Sequence, residues 1–365
     1  LMEVLSVLEN EVLDRWHTPL VNDFYVMTSN DKLKRFLGKI GFEDPTSVQN
    51  SLLAGEDGIE SAEPTRLLMR MAKSARNNPE LKEVIENEGP ESALVIIREK
   101  FPAFAAKIDD YIELYGDRTM GELKLETISL REDQGFVISI LKNYISRPDM
   151  DPEKIAEKEK GLRREAEELV RKQAGSMSTM KFEKIVAAAR KAVKNRETMR
   201  LTRTRLFGLY RDAYAALGHR FHEAGKLDHP RDIFYLTIEE IDAYFEGRAI
   251  TTNLGALANI RKEEYASYED QEAPHHFQTQ GPVYHGNVFK YEGKTEVDPN
   301  ADVLHGTGCY AGLVESDIRL IFSPRDELSI NNKILCTVRT DPGWAPLFPT
   351  CSGLLVERGS TLSHS

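Results

Sequence analysis

From Asp151 to Ala224 the chain carries one break, Ala174-Gly175-Ser176, in an otherwise helix-forming run. Asp151-Pro152 supplies a cap and a first-turn proline, the pair that opens helices. Behind it Ile155, Leu162, Ala166 and Leu169 form an apolar stripe of a/d-like spacing on a charged helix. A second long helix is expected from about Met180 to Ala224, and the break between the two predicts an antiparallel helical hairpin. A chain with this centre is mainly α.

The flanks extend the helical reading. Leu5 to Leu13 has helical periodicity, and Trp16-His17-Thr18-Pro19 is expected to end it. Glu63-Pro64 opens a helix through Arg66 to Ala72. Others are expected over about Glu91–Leu114 and Phe136–Ile145. Asp232-Ile233-Phe234-Tyr235-Leu236 reads as a short strand, Thr237 with Glu240 as a capping box for Ile238–Phe245, and Leu254–Tyr268 as a further helix. The polar stretch from Glu269 to Pro282 reads as a linker. Beyond it Ile318-Arg319-Leu320-Ile321-Phe322, Lys333 to Val338 and Gly353-Leu354-Leu355-Val356 are apolar strands separated by turn residues.

Composition narrows the class. With 365 residues, 41% hydrophobic and 29% charged, the chain suits two or three domains of a globular protein. Cys309, Cys336 and Cys351 have no pairing or metal spacing, which points to a reducing compartment. The sequence contains no membrane-length apolar run and no signal peptide, so the expectation is cytoplasmic, without a membrane partner. The net charge of −11 argues against nucleic acid as a partner.

The chemistry concentrates at the end of the chain. After the last strand comes Gly359-Ser360-Thr361-Leu362-Ser363-His364. Imidazole titrates near neutrality, leaving a nucleophilic ring nitrogen available. Small neighbours let a phosphoryl group approach, and the hydroxyls of Ser360, Thr361 and Ser363 can bond its oxygens. Upstream, in order, stand Leu304-His305-Gly306-Thr307-Gly308, the two strands, and Thr340-Asp341-Pro342-Gly343-Trp344-Ala345-Pro346-Leu347. This series resembles the swivelling phosphohistidine domain of the phosphoenolpyruvate-utilising enzymes, which include phosphoenolpyruvate synthase, pyruvate phosphate dikinase and the rifampicin phosphotransferases. Ser360 replaces the family's second glycine, and Cys309-Tyr310 its usual small residue and proline.

The long helical region before the histidine is similar to the rifampicin phosphotransferase group. The resemblance implies a mainly α fold with a smaller α/β part: a multi-helix domain with the hairpin, followed by an incomplete β/β/α swivelling domain. It divides the chain into a helical substrate-binding-like domain (1–268), a linker and lead-in segment (269–300) and the truncated phosphohistidine domain (301–365). The chain then reads as a fragment, and the missing remainder should leave an apolar sheet face open. It implies an ATP-dependent phosphotransferase of dikinase type. The β-phosphate of ATP passes through His364 to a small-molecule acceptor, such as pyruvate or a hydroxyl compound. ATP and Mg2+ are expected on an ATP-grasp domain supplied in cis or in trans, with neither bound by this portion, which alone should be inactive. The alternative is a catalytically inactive helical binding or scaffold protein with a degenerate swivelling domain.

Candidate acceptor groups lie in the helical region. Glu56, Asp57, Glu60 and Glu63 form an acidic, glycine-rich lead into a helix, able to bind a hydroxyl or act as base. Asp117 and Arg118 sit at an expected helix end, where the guanidinium could steady phosphate oxygens. Lys191, Lys194, Arg196, Arg200, Arg203 and Arg205 make a basic stretch that reads first as a solvated helix face. His219 and His222 lack a third ligand, so no metal site is expected. Trp16 and Trp344 read as packing residues.

Overall fold

The computed structural model describes residues 17–55, 63–269, 277–278, 290–291, 312–323 and 326–359, with isolated positions before residue 16 and between 303 and 308. The helices are α1 (His17–Lys39), α2 (Pro45–Leu53), α3 (Glu63–Arg76), α4 (Pro79–Asn87), α5 (Pro90–Lys100), α6 (Pro102–Tyr115), α7 (Gly135–Ile145), α8 (Pro152–Glu223), α9 (Ile238–Phe245) and α10 (Leu254–Ala266). The strands are β1 (Phe277–Gln278), β2 (Lys290–Tyr291), β3 (Ile318–Leu320), β4 (Ile334–Thr337) and β5 (Gly353–Val356). The fold is thus mostly helical with a small parallel sheet. Among the described residues no helix is long and apolar enough to cross a membrane.

The chain forms two compact units, residues 1–213 with 313–365, and residues 214–312. In the first unit, α3 to α7 share one core with the sheet layer. Leu68, Ile97, Ile108, Ile138 and Leu141 pack in the same cluster as Ile321, Leu328, Ile330, Leu335, Trp344 and Leu347. The sheet has order β3-β4-β5, all parallel, with Leu320, Cys336 and Leu355 in register. Alternation along each strand turns Leu335 inward and leaves Ile318, Leu320 and Leu355 exposed. A second core joins Leu33, Phe36 and Leu37 of α1 to Leu52 of α2 and to Val170, Phe182, Val186 and Ala189 of α8.

Gly175 interrupts α8 at φ 70° and ψ 169°, a conformation costly for any residue with a Cβ. Across this break Arg190 reaches Glu167 at 2.7 Å and Arg171 reaches Glu183 at 3.6 Å. The second unit is smaller. There Phe221 packs on Tyr244 and Phe245, Lys262 pairs with Asp232 at 2.7 Å, and β1 pairs antiparallel with β2.

Two expectations are corrected by proline chemistry. The expected end of the Leu5–Leu13 helix lies outside the described residues; α1 begins at His17, with Pro19 in the first turn, where its missing N–H costs nothing. Glu91–Leu114 is not continuous. Phe101 donates its N–H to Ile97 O at 2.8 Å, and Pro102 starts a new helix. Asp232–Leu236 is not a strand but the end of a 3₁₀ turn, Pro230–Tyr235, closed by a reciprocal cap between His229 and Asp232. The capping box at Thr237 and Glu240 forms as expected.

Candidate functional site

The loop between α6 and α7 is built by its own polar groups. Leu130 donates its N–H to Gly116 O at 2.9 Å, and the Thr127 hydroxyl donates to Gly121 O at 2.9 Å. Facing it is the Thr340–Leu347 segment, where a 3₁₀ turn, Pro342–Trp344, is capped by Asp341. One Asp341 oxygen accepts the Gly343 N–H at 2.9 Å, the other the Gly121 N–H at 2.7 Å. Gly343 lies directly on the Thr119 carbonyl: a Cβ there would come within 2.2 Å of it. Trp344 and Leu347 anchor the turn in the main core. From α7, Asn143 donates to Leu328 O at 2.7 Å and Tyr144 to Pro346 O; just past its end, Arg147 donates to Thr350 O at 3.4 Å.

A cleft of about 610 Å³ opens between the loop and the sheet layer. Lys124, Thr127, Ser129 and Asp133 line one wall, and Ser323, Thr337, Arg339, Asp341 and Arg358 the other, with Phe136, Phe322 and Trp344 among the apolar residues. Beyond β5, Glu357 donates its N–H to Thr337 O at 3.1 Å and Arg358 to Val338 O at 2.8 Å. The last described residues therefore run along the cleft. His364, Ser360, Thr361 and Ser363 lie outside the described residues, as do Glu56, Asp57 and Glu60.

Behind the loop wall is a buried charge cluster. Glu122 is 1% exposed and stands 3.7 Å from the buried Arg118. Neither Glu122 oxygen accepts a hydrogen bond of normal geometry. Burial pushes its carboxyl up to about 7, with the Asp341 charge adding to the rise and Arg118, Thr204 and Arg203 opposing it. Asp341 is also raised, by burial, against the pull of its two N–H donors. Arg211 is fully buried and donates to Glu122 O at 2.8 Å and Lys124 O at 3.1 Å. Asp117 faces Arg131 at 3.4 Å.

Asp117 and Arg118 are thus both buried, facing Arg131 and Glu122 respectively. Glu63 is held by Arg66 at 2.9 Å and Arg70 at 3.9 Å. The basic stretch is partly engaged: Arg196 meets Asp23 at 3.1 Å, and Arg200 pairs with Glu197 at 3.4 Å, its pKa lowered mainly by burial. His222 contacts Leu227 O through Nδ1 at 3.0 Å. Among the described residues no three His, Cys, Asp or Glu side chains gather into a metal site. Sequence reasoning missed Lys124, Arg339, Arg358 and Arg211 and gave Glu122 no role; the Thr340–Leu347 and Tyr115–Arg118 motifs beside them carried the signal.

Comparison with known proteins defines the class. Residues 15–197, from the start of α1 into α8, match the family model of the rifampicin phosphotransferase fourth domain. The chain belongs to the rifampicin phosphotransferase-like branch of the phosphoenolpyruvate-utilising enzymes. It is 26% identical over 350 residues to a rifampicin phosphotransferase of Bacillus cereus, covering 92% of this chain and 38% of that protein. It is 27% identical over 263 residues to the Bacillus subtilis rifampicin phosphotransferase, covering 70% and 29%. It is also 23% identical over 325 residues to a prodigiosin-synthesizing transferase of Serratia marcescens, covering 87% and 36%. The chain therefore spans about two fifths or less of the length of these curated relatives.

Proposed function

We propose that this chain is the acceptor-binding and phosphocarrier portion of an ATP-dependent phosphotransferase of dikinase type. The observation that supports this most directly is the cleft. Three cations, Lys124, Arg339 and Arg358, line it, and the chain leaves it six residues before His364. Six extended residues span about 20 Å, enough to bring the imidazole back over the cleft.

In this reading a ring nitrogen of His364 takes the β-phosphoryl group of ATP at an ATP-grasp domain elsewhere in the protein, while water takes the γ-phosphoryl group, so that AMP and phosphate are released overall. The acceptor's hydroxyl oxygen then attacks phosphorus as the P–N bond breaks, and the hydroxyl proton passes to a nearby carboxylate or to solvent. Lys124, Arg339 and Arg358 offset the charge on the equatorial oxygens, which is most of what such a transfer asks of a protein. Mg2+ belongs with the ATP-grasp domain, and no step in this cleft runs through it. Residues 1–268 form the helical acceptor-binding domain, with an antiparallel hairpin about Gly175. Residues 269–300 form the linker and 301–365 the carrier. Ser360, Thr361 and Ser363 support the phosphoryl group. Glu56, Asp57 and Glu60 remain acceptor-side groups, whereas the burial of Asp117 and Arg118 suits them to holding the wall.

The acceptor is a hydroxyl compound with a large apolar surface. Supporting this, α1 exposes Leu20, Val21, Phe24, Tyr25 and Met27 along its length. The relatives' names give no support to pyruvate. Those names, each of a transferase, also disfavour an inactive scaffold.

Rifampicin is the acceptor with which to test the cleft. In the full-length protein Lys124→Ala and Arg339→Ala should each slow transfer from His364 to rifampicin about tenfold to a hundredfold, the loss expected for one charge-assisted hydrogen bond. Loading of His364 from ATP should not change. Transfer at the wild-type rate in both variants would remove the cleft from the reaction.

A further inference from the structure

The two walls of the cleft come from segments some 200 residues apart, and no backbone strand pairing joins them. What joins them falls into two groups. At the base, Asn143 and Tyr144 of α7 and Arg147 just beyond it hold the sheet layer, each bonded to one of its backbone carbonyls. At the cleft end Asp341 makes the polar tie and Gly343 the close backbone contact. Asp341 divides its carboxylate between the Gly343 N–H of its own turn and the Gly121 N–H of the opposite wall. Gly343 allows the turn to lie on the Thr119 carbonyl, with Met120 N also within 2.5 Å of any added Cβ.

We infer that Asp341 and Gly343 are positioning residues that seat the carrier's Thr340–Leu347 turn on the Thr119–Gly121 turn, setting the register of the two cleft walls. Lys124 comes from one wall and Arg339 and Arg358 from the other. Their spacing about a shared anion is therefore fixed by this seat. The role of the seat in transfer rests on the relay proposed above; its geometry does not. Phosphoryl transfer is sensitive to sub-ångström and ångström misplacement of charge and nucleophile, so a loosened seat should cost transfer far more than it costs folding. Loading of His364 from ATP takes place away from this cleft and should be indifferent to it.

The test uses the full-length protein with Gly343→Ala, which drives a methyl group into the Thr119 carbonyl, and Asp341→Asn, which replaces one acceptor by a donor facing an N–H. Amide hydrogen exchange is followed in peptides covering 116–134 and 135–147, alongside loading of His364 from labelled ATP and transfer to rifampicin. Exchange in 116–134 should rise at least about tenfold while 135–147 stays protected. Loading should hold at the wild-type rate, and transfer should fall about tenfold or more. Wild-type exchange in 116–134 for both variants would overturn the seat. So would equal loosening of 135–147, because the two residues would then hold the fold at large. Raised exchange with undiminished transfer would overturn the positioning role. A wild-type protein that never takes label would remove the relay, leaving the exchange result to decide the seat.

Discussion

Glu122→Gln is expected to flatten the pH dependence of stability between about pH 4.5 and 7, and to gain on the wild type as pH rises. Glu122 is buried, without a hydrogen-bond partner of normal geometry, and its carboxyl is pushed from the ordinary 4.5 to about 7. The groups facing it are Arg118, Arg203, Thr204 and Asp341, of which only Asp341 pushes in the same direction as burial. The folded state therefore binds a proton more tightly than the unfolded chain. The contribution of this group is fully present below about pH 4.5 and lost as pH rises through 7. Its size is about 3 kcal/mol, taking roughly 1.4 kcal/mol for each tenfold change in proton affinity. Glutamine keeps the shape and cannot ionise. The difference between variant and wild type in urea unfolding, measured at about pH 4 and about pH 8, should therefore grow by about 3 kcal/mol in the variant's favour. A constant difference would mean that Glu122 ionises normally inside the fold.

Arg211→Ala should destabilise the same wall by about 3–5 kcal/mol, the usual cost of removing one member of a buried charge network. Its guanidinium is fully buried and satisfies the carbonyls of Glu122 and Lys124 together. Asp117, Asp212, Glu132 and Glu122 oppose the lowering of its pKa by burial, so its loss also leaves acidic groups without compensation. Arg211→Lys keeps the charge but loses the planar guanidinium whose Nη2 serves both carbonyls, and should fall between the two. The measurement is the urea midpoint, together with amide exchange at Lys124 and Thr127. An alanine variant as stable as the wild type would mean that the wall is held by its own turns.

Local chemistry made much of the helical fold legible. Glu63-Pro64, the Thr237–Glu240 box and the apolar run of Phe136–Ile145 each carry start signals or periodicity that tertiary packing then reinforces. The misses cluster at prolines whose helix-opening role was not used. Pro19 and Pro102 sit in first turns, and Asp44-Pro45 and Asn78-Pro79, which open α2 and α4 with full side-chain caps, carried the same signal unread. The motif Thr340–Leu347 was visible in the sequence, but its counterpart was not. Gly121 lies 220 residues away, and nothing local in Thr119-Met120-Gly121 announces that Asp341 will bind its N–H. Arg118 reads in the sequence as an acceptor-side group at a helix end; its burial with Glu122, four residues on, is set by what packs from elsewhere.

The relay itself is tested most directly by phosphoryl chemistry at His364 in the full-length protein. Incubation with β-labelled ATP should leave an acid-labile, base-stable label on the wild type and none on His364→Ala, with AMP formed only where label can form. Label that persists in the alanine variant, or a folded, ATP-binding wild type that takes none, would contradict the account.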